Sequence, residues 1–132
     1  MTTGATAPKY RILLVDDHDL VRRALRGTLE PARFEIVGEA ADGESGVAGV
    51  LDTQADVILL DLSMPGMDGL EAIQRLRELA PDTVIVVLSG FSAGRLGEAA
   101  LELGADRYLE KGEPGEVIRA AIHDAVQARR AG

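Results

Sequence analysis

The chain has 132 residues and a formal net charge of -8, with 46% hydrophobic and 27% charged residues, which is the composition of one soluble globular domain. The acidic balance argues against direct nucleic-acid binding by this chain, and the absence of cysteine excludes disulfides and thiolate metal sites. No apolar run approaches transmembrane length and residues 1–9 lack the apolar core of a signal peptide, so we expect a cytoplasmic protein without membrane contact.

Five short apolar runs alternate with five amphipathic stretches, which is the pattern of a repeated βα unit. The strands are expected, in chain order, at residues 10–15, 34–40, 57–60, 84–89 and 107–110. Each strand is followed by a helix, expected in turn at residues 20–30, 42–52, 69–79, 93–103 and 114–129. We therefore predict one domain over residues 10–129, between a flexible N-terminal tail (1–9) and a short C-terminal tail (130–132).

Capping residues support these helix bounds. Asp19 is suited to cap the first helix, Gly104 to end the fourth, and Pro114 to occupy the first turn of the fifth. The second and fourth helices contain several glycines, each of which costs about 0.8–1.0 kcal/mol relative to alanine in a helix interior. We therefore expect these two helices to be weak.

The polarity of the strands predicts their order in a parallel sheet. The first, third and fourth strands are continuous apolar runs, as expected for strands that are covered on both faces, whereas the second and fifth are more polar. The apolar strands should be central and the polar ones should lie at the edges. This gives the order 2-1-3-4-5 of a flavodoxin-like, doubly wound α/β fold, with ligands expected where the first and third strands are neighbours.

Polar side chains follow the strands at this edge of the sheet. Asp16 and Asp17 follow the first strand, Asp61 follows the third, Ser89 ends the fourth, and Lys111 follows the fifth. Three carboxylates in one crevice repel each other unless a cation neutralises them, and an all-oxygen site suits Mg²⁺. A magnesium ion, a hydroxyl and an ammonium around a nucleophilic carboxylate are what an in-line phosphoryl transfer requires.

The chain resembles the response-regulator receiver domains of two-component signalling. The resemblance spans the chain apart from its tails, and it rests on the order and spacing of Leu-Leu-Val-Asp-Asp-His at 13–18, Leu-Leu-Asp-Leu-Ser-Met-Pro-Gly-Met-Asp-Gly at 59–69, Val-Leu-Ser-Gly at 87–90 and Gly-Ala-Asp-Arg-Tyr-Leu-Glu-Lys at 104–111. The first two segments are most similar to the subfamily that carries LuxR/FixJ-type helix-turn-helix output domains.

The resemblance implies a phosphoacceptor and a set of metal ligands. Asp61 would accept the phosphoryl group from the phosphohistidine of a sensor histidine kinase. Asp17 and Asp61 would bind Mg²⁺ directly, Asp16 mainly through water, and Ser63 through its backbone carbonyl. The protein would then be a signalling switch that catalyses only its own phosphorylation and dephosphorylation, and not an enzyme acting on other substrates.

The resemblance also implies a switching mechanism. Ser89 would be the switch hydroxyl, Lys111 the lysine that pairs with the phosphate, and Tyr108 the switch aromatic. The fourth helix, fifth strand and fifth helix would form the surface that controls a partner or an output domain. The family often has proline, held in a cis peptide, after the lysine; here the residue is Gly112, which leaves the geometry of that loop open.

Specific residues argue against two other functions of an α/β fold with these aspartates. A haloacid-dehalogenase-like phosphohydrolase would need a second aspartate two residues after the nucleophile, where this chain has Ser63, and an FMN phosphate would be repelled by the aspartates. His18 is interpreted as a loop residue beside the carboxylates. The sequence is compatible with a stand-alone receiver and with the receiver part of a DNA-binding transcriptional regulator, and it leaves homodimer formation open.

Overall fold

A computed structural model describes residues 9–62, 69–90 and 94–132. Over these ranges five strands alternate with five α-helices. The strands are β1 (Arg11–Val15), β2 (Glu35–Ala40), β3 (Val57–Leu60), β4 (Val84–Ser89) and β5 (Arg107–Glu110). The helices are α1 (Asp19–Leu29), α2 (Gly43–Thr53), α3 (Gly69–Leu79), α4 (Gly94–Leu103) and α5 (Gly115–Ala131). No helix in these ranges has the length and apolar character needed to cross a membrane.

The strands form one parallel sheet in the order β2-β1-β3-β4-β5, which confirms the predicted fold. Every residue of β3 and β4 is buried, whereas β2 and β5 contain half-buried and exposed residues. The polarity of the strands therefore follows their position, because an edge strand keeps contact with solvent that a central strand loses.

Successive side chains of the strands pack into two apolar clusters, one on each face of the sheet. In β1, Leu13 and Val15 face the cluster that α2, α3 and α4 cover, while Ile12 and Leu14 face the cluster of α1 and α5. The strands are thereby held from both sides. Their carboxyl ends are then fixed at one edge, which is where the polar residues of the predicted site lie.

Glycines allow α2 to lie directly against β1. A Cβ at Gly46 would lie 2.9 Å from a methyl carbon of Val15, and one at Gly49 would lie 3.1 Å from a methyl carbon of Leu13. The helix also has a side-chain cap, because the amide of Ser45 donates to the Asp42 carboxylate at 2.8 Å. The glycines of α2 are therefore packing residues as well as poor helix formers.

Several predicted bounds and caps need correction. The N-cap of α1 is His18, so Asp19 is the first helical residue and does not cap the helix. Pro114 precedes α5 as its N-cap, and α5 continues to Ala131, past the predicted end at 129. The first α-helix ends at Leu29, one residue before the predicted end at 30, and a single 3-10 turn that contains Pro31, Glu30–Ala32, follows it.

The glycines around α4 and β5 adopt positive φ. Gly104 (φ 121°) follows α4 as predicted, and its amide donates to the carbonyl of Leu101 at 3.1 Å. Gly94, which the sequence placed inside the helix, is its first described residue and has φ 34°. The predicted start of this helix at Ala93 lies outside the described residues. Gly112 has φ 99°, and the peptide bonds of the described residues are trans.

Candidate functional site

Backbone hydrogen bonds extend the sheet by one residue into the site. The amide of Asp16 donates to the carbonyl of Ala40 at 3.0 Å, and the amide of Asp61 donates to that of Val15 at 2.9 Å. At the other side of the sheet, the amide of Lys111 donates to the carbonyl of Ser89 at 2.6 Å. The site residues are therefore positioned by the strand ladder itself and not by free loops.

Two of the predicted carboxylates are buried at this edge. Asp16 is 3% exposed and Asp61 is 2% exposed, while Asp17 is on the solvent side. One ligand atom from each of Asp16, Asp17, His18 and Asp61 lies within 4.8 Å of the others. The structure thus brings together the three aspartates that the sequence predicted to meet.

Lys111 provides a cation for the two buried carboxylates. Its Nζ lies 2.7 Å from Oδ2 of Asp16 and 3.4 Å from Oδ2 of Asp61. Burial lowers the pKa of Lys111, but the hydrogen bond to Asp16 and the charges of Asp61 and Asp16 outweigh this effect, so its pKa lies above the ordinary value. The ammonium is therefore charged at neutral pH.

His18 lies closer to the carboxylates than its interpretation as a loop residue suggested. Its Nδ1 is 3.0 Å from Oδ1 of Asp16 and 3.1 Å from Oδ1 of Asp17, and its amide donates to Oδ1 of Asp16 at 2.8 Å. The sequence signal was its position directly after two aspartates at a strand end, which gives proximity but not the direction of the ring.

The donor set fits a small divalent cation. Three carboxylate oxygens within reach of one another are hard ligands, of the kind that Mg²⁺ binds together with water. Asp17 and His18 are exposed, so one side of the cluster is open to solvent for such waters. The predicted ligand carbonyl of Ser63 lies outside the described residues.

The two predicted switch residues lie on neighbouring strands. Ser89 is fully buried at the end of β4, and its main chain is opposite Glu110 of β5. Tyr108 is opposite Val87 and is half-buried against the cluster that α2, α3 and α4 cover, against which Leu96 and Leu103 of α4 also pack. Both residues therefore belong to the part of the sheet next to α4.

Comparisons with known proteins identify the family of this chain. The family model of the response regulator receiver domain matches residues 12–123. Response regulator UvrY of Escherichia coli (strain K12) is 37% identical over 120 residues, which are 90% of this chain and 55% of that protein. The nitrate/nitrite response regulator protein NarL of the same strain is 41% identical over 115 residues, 86% of this chain and 53% of that protein.

The chain therefore spans about half the length of these curated relatives. Among solved structures, a LuxR-family two-component response regulator from Aurantimonas sp. SI85-9A1 has a TM-score of 0.86 and 30% identity, with 91% of this chain and 86% of that chain covered. The aspartates at the ends of β1 and β3 thus lie within residues 12–123, which match the family model, and within a fold that the solved structure shares over 91% of this chain. The chain belongs to the response regulator receiver domain family, in the type found in LuxR-like regulators.

Proposed function

We propose that this chain is the phosphoacceptor domain of a cytoplasmic two-component system, in which Asp61 receives a phosphoryl group from the phosphohistidine of a sensor histidine kinase. The observation that carries this proposal is a buried Asp61 carboxylate at the end of β3, within reach of two further carboxylates and 3.4 Å from the Lys111 ammonium. This arrangement combines a nucleophile with the charges that a phosphoryl group needs.

In the transfer, an oxygen of Asp61 bonds to phosphorus while the phosphorus–nitrogen bond of phosphohistidine breaks, and the electron pair leaves with the imidazole. Lys111 neutralises charge on the phosphoryl oxygens, which favours the transition state. Asp17 and Asp61, with Asp16 in support and the Ser63 carbonyl as a further candidate, would hold Mg²⁺. When bound, this ion supplies a positive charge that offsets the developing negative charge.

The signal leaves the site through the part of the sheet next to α4. The Ser89 hydroxyl moves toward the phosphoryl group on Asp61, and Tyr108 turns into the space that this movement vacates. The surface of α4, β5 and α5 then changes its packing and controls a partner. Two observations support this route: Ser89 ends β4, and Tyr108 packs on the cluster that includes residues of α4.

The partner that responds is proposed from the relatives. The matching part of the curated relatives is about half of each protein, and their names describe response and transcriptional regulators. We propose that this receiver controls transcription through a DNA-binding output domain or through a separate downstream protein. Both arrangements use the same surface of α4, β5 and α5.

Phosphorylation by a small acyl-phosphate donor tests the proposal. Wild-type protein with Mg²⁺ should gain one phosphoryl group by intact-protein mass spectrometry, and Asp61→Asn should gain none. Asp52→Asn, which changes an exposed aspartate on α2, should react like wild type. Labelling that persists in Asp61→Asn would show that Asp61 is not the phosphoacceptor. Labelling of wild type that does not require a divalent cation would contradict the proposed role of Mg²⁺.

A further inference from the structure

Arg22, one turn into α1, connects three parts of the molecule. Its Nη1 donates to the backbone carbonyl of Asp16, and its Nε donates to Oε1 of Glu39 on β2 at 2.7 Å. Its Nη2 lies 3.3 Å from Oδ1 of Asp19 within the same helix. The side chain is 16% exposed, so it is nearly enclosed between the helix and the edge of the sheet.

The carbonyl that Arg22 holds belongs to the peptide between Asp16 and Asp17. The orientation of that peptide sets the direction in which the chain leaves β1, and therefore where the Asp17 carboxylate lies. The preceding amide of Asp16 is already fixed by its bond to the carbonyl of Ala40. Arg22 thus fixes the carbonyl of Asp16, as Ala40 fixes its amide. This carbonyl directly precedes Asp17, the exposed carboxylate of the cluster.

We propose that Arg22 is a positioning residue for the cation site. It orients the Asp16–Asp17 peptide so that Asp17 faces the buried carboxylate of Asp61, and it acts through the backbone without touching the cation. The inference rests on the proposed function in one respect, namely that the cation of this site is Mg²⁺. Groups that orient ligands in this way typically change metal affinity by about 10- to 100-fold.

Arg26, one turn further along α1, provides a matched control. Its guanidinium binds the other oxygen of Glu39 and forms a 2.8 Å ion pair with Glu30. Replacing either arginine by methionine removes the same charge and one contact to Glu39, and it leaves the other arginine on that carboxylate. Each variant also loses one contact to a second acidic side chain, Asp19 for Arg22 and Glu30 for Arg26. Arg22→Met in addition removes the bond to the Asp16 carbonyl.

The sign of the effect separates positioning from electrostatics. Removal of a positive charge near three carboxylates should, by Coulomb attraction alone, increase the affinity for a divalent cation. Loss of the peptide orientation should decrease it. Arg22→Met is therefore expected to bind Mg²⁺ more weakly than wild type, whereas Arg26→Met is expected to bind it equally or slightly more tightly.

The experiment is an Mg²⁺ titration of metal-free full chain, followed by amide chemical shifts. Arg22→Met should raise the dissociation constant at least about tenfold, and Arg22→Lys, which keeps the charge with a single donor group, should lie between Arg22→Met and wild type. Amide exchange of Asp17 and His18, measured without metal, should become faster in Arg22→Met and not in Arg26→Met. At saturating Mg²⁺ the phosphorylation rate of Arg22→Met should approach that of wild type.

An Arg22→Met protein that binds Mg²⁺ as tightly as Arg26→Met, or more tightly, overturns the inference. If Arg22→Met does not fold by circular dichroism, then Arg22→Lys decides in the same way. A wild-type protein that binds Mg²⁺ and is phosphorylated, beside Arg22 variants of unchanged affinity, rejects the positioning role alone. A wild type that binds no Mg²⁺ rejects the proposed function together with it.

Discussion

The Lys111 ammonium forms ion pairs with the two buried carboxylates of the site. It lies within 2.7 Å of Asp16 and 3.4 Å of Asp61, two carboxylates that are almost fully buried. A buried carboxylate without a cation is strongly disfavoured. The divalent cation of the proposed function would therefore compete with Lys111 for the same negative charge, although both are expected to assist phosphoryl transfer.

This competition predicts the behaviour of Lys111→Met. Without metal the variant should be less stable than wild type by on the order of 1–3 kcal/mol, because the buried carboxylates lose their ammonium. Mg²⁺ should then raise its melting temperature by more than it raises that of wild type, since the ion replaces the missing charge. Thermal unfolding with and without Mg²⁺ measures both effects.

Arg107→Met is the control for this prediction, because it removes a positive charge from an exposed position on β5, the strand that Lys111 follows. Its response to Mg²⁺ should match that of wild type. A smaller Mg²⁺ stabilisation of Lys111→Met than of wild type would contradict the competition between the two cations.

Individual site residues could be predicted where the sheet alone determines their place. Asp16, Asp61 and Lys111 each follow a strand directly, and the carboxyl ends of parallel strands meet at one edge. The contacts of His18 and Arg22 could not be predicted in this way. They depend on the start of α1 and on side-chain rotamers, and neither follows from the spacing of apolar residues.

Glycine has opposite effects on the stability of the folded protein at Gly27 and at Gly104. In the interior of α1, a Cβ at Gly27 would have no described atom outside the helix backbone within 4 Å, so this glycine contributes only conformational freedom to the unfolded chain. After α4, Gly104 has φ 121°, and a Cβ there would lie 2.6 Å from Cγ of Arg77. Arg77 cannot move away freely, because its Nε donates to the carbonyl of Gly104 at 2.8 Å.

Alanine substitutions should therefore change stability in opposite directions. Gly27→Ala is expected to increase the free energy of unfolding by about 0.5–1 kcal/mol. Gly104→Ala is expected to decrease it by at least about 1–2 kcal/mol from the positive φ, with the clash against Arg77 adding to that. Urea unfolding of both variants measures the two values, and a stabilised Gly104→Ala would contradict the strain that its backbone angle implies.

The element expected to move is α4. Its buried residues are small, Gly97 and Ala100, whereas α1 buries Leu25 and Leu29, and burial of small side chains stabilises a helix less. Amide hydrogen exchange should therefore be faster in α4 than in α1, and a beryllofluoride mimic of the phosphoryl group should change protection in α4 first. Equal protection of both helices, unchanged by the mimic, would contradict the proposed switch.

At the level of elements, strand and helix positions followed from periodicity, and the strand order followed from polarity. The role of the glycines in α2 did not follow. Gly46 and Gly49 are poor helix formers, but they also allow the helix to approach Val15 and Leu13, which are distant in sequence. The sequence of α2 by itself indicates that its glycines lower helix propensity. It cannot indicate which side chain of another element packs beside them. The predicted weakness of α2 remains a prediction.

Across the whole molecule, excess negative charge makes the arrangement of the arginines important, because the chain has 22 acidic and 14 basic residues. Arg26 and Arg22 both bind Glu39, and their hydrogen bonds and charges hold the pKa of Glu39 below its ordinary value of 4.5. Asp106 is similarly placed between Arg77 and Arg129, at 2.8 and 3.0 Å. These contacts join α1 to β2 and α3 to α5.

The lowered pKa of Glu39 predicts an acid-dependent contribution to stability. Ionised Glu39 stabilises the folded protein above its unfolded-state pKa, and this contribution is lost as the pH falls through the lower folded-state pKa. Glu39→Gln should be less stable than wild type by about 0.5–1 kcal/mol at pH 7, because the carboxylate is partly exposed. The two proteins should converge in strongly acidic solution.

Unfolding curves from neutral to acidic pH, combined with a double-mutant cycle between Glu39→Gln and Arg26→Met, isolate this interaction. The coupling energy between the two positions should diminish as the pH is lowered. A coupling energy that is independent of pH would show that the contact between Glu39 and Arg26 does not stabilise the protein through charge.

The positive φ of Gly112 has a consequence for attempts to improve this protein from the sequences of its relatives. Replacing an unusual residue by the one most frequent in the family commonly stabilises a protein. The resemblance described above implies that proline is frequent at the position after Lys111, and its ring holds φ at about -65°. The loop has φ 99° there, so proline does not fit its path, even though there is open space around the residue. Glycine and the shape of this loop have to change together, and a consensus design that alters one residue at a time should leave Gly112 in place.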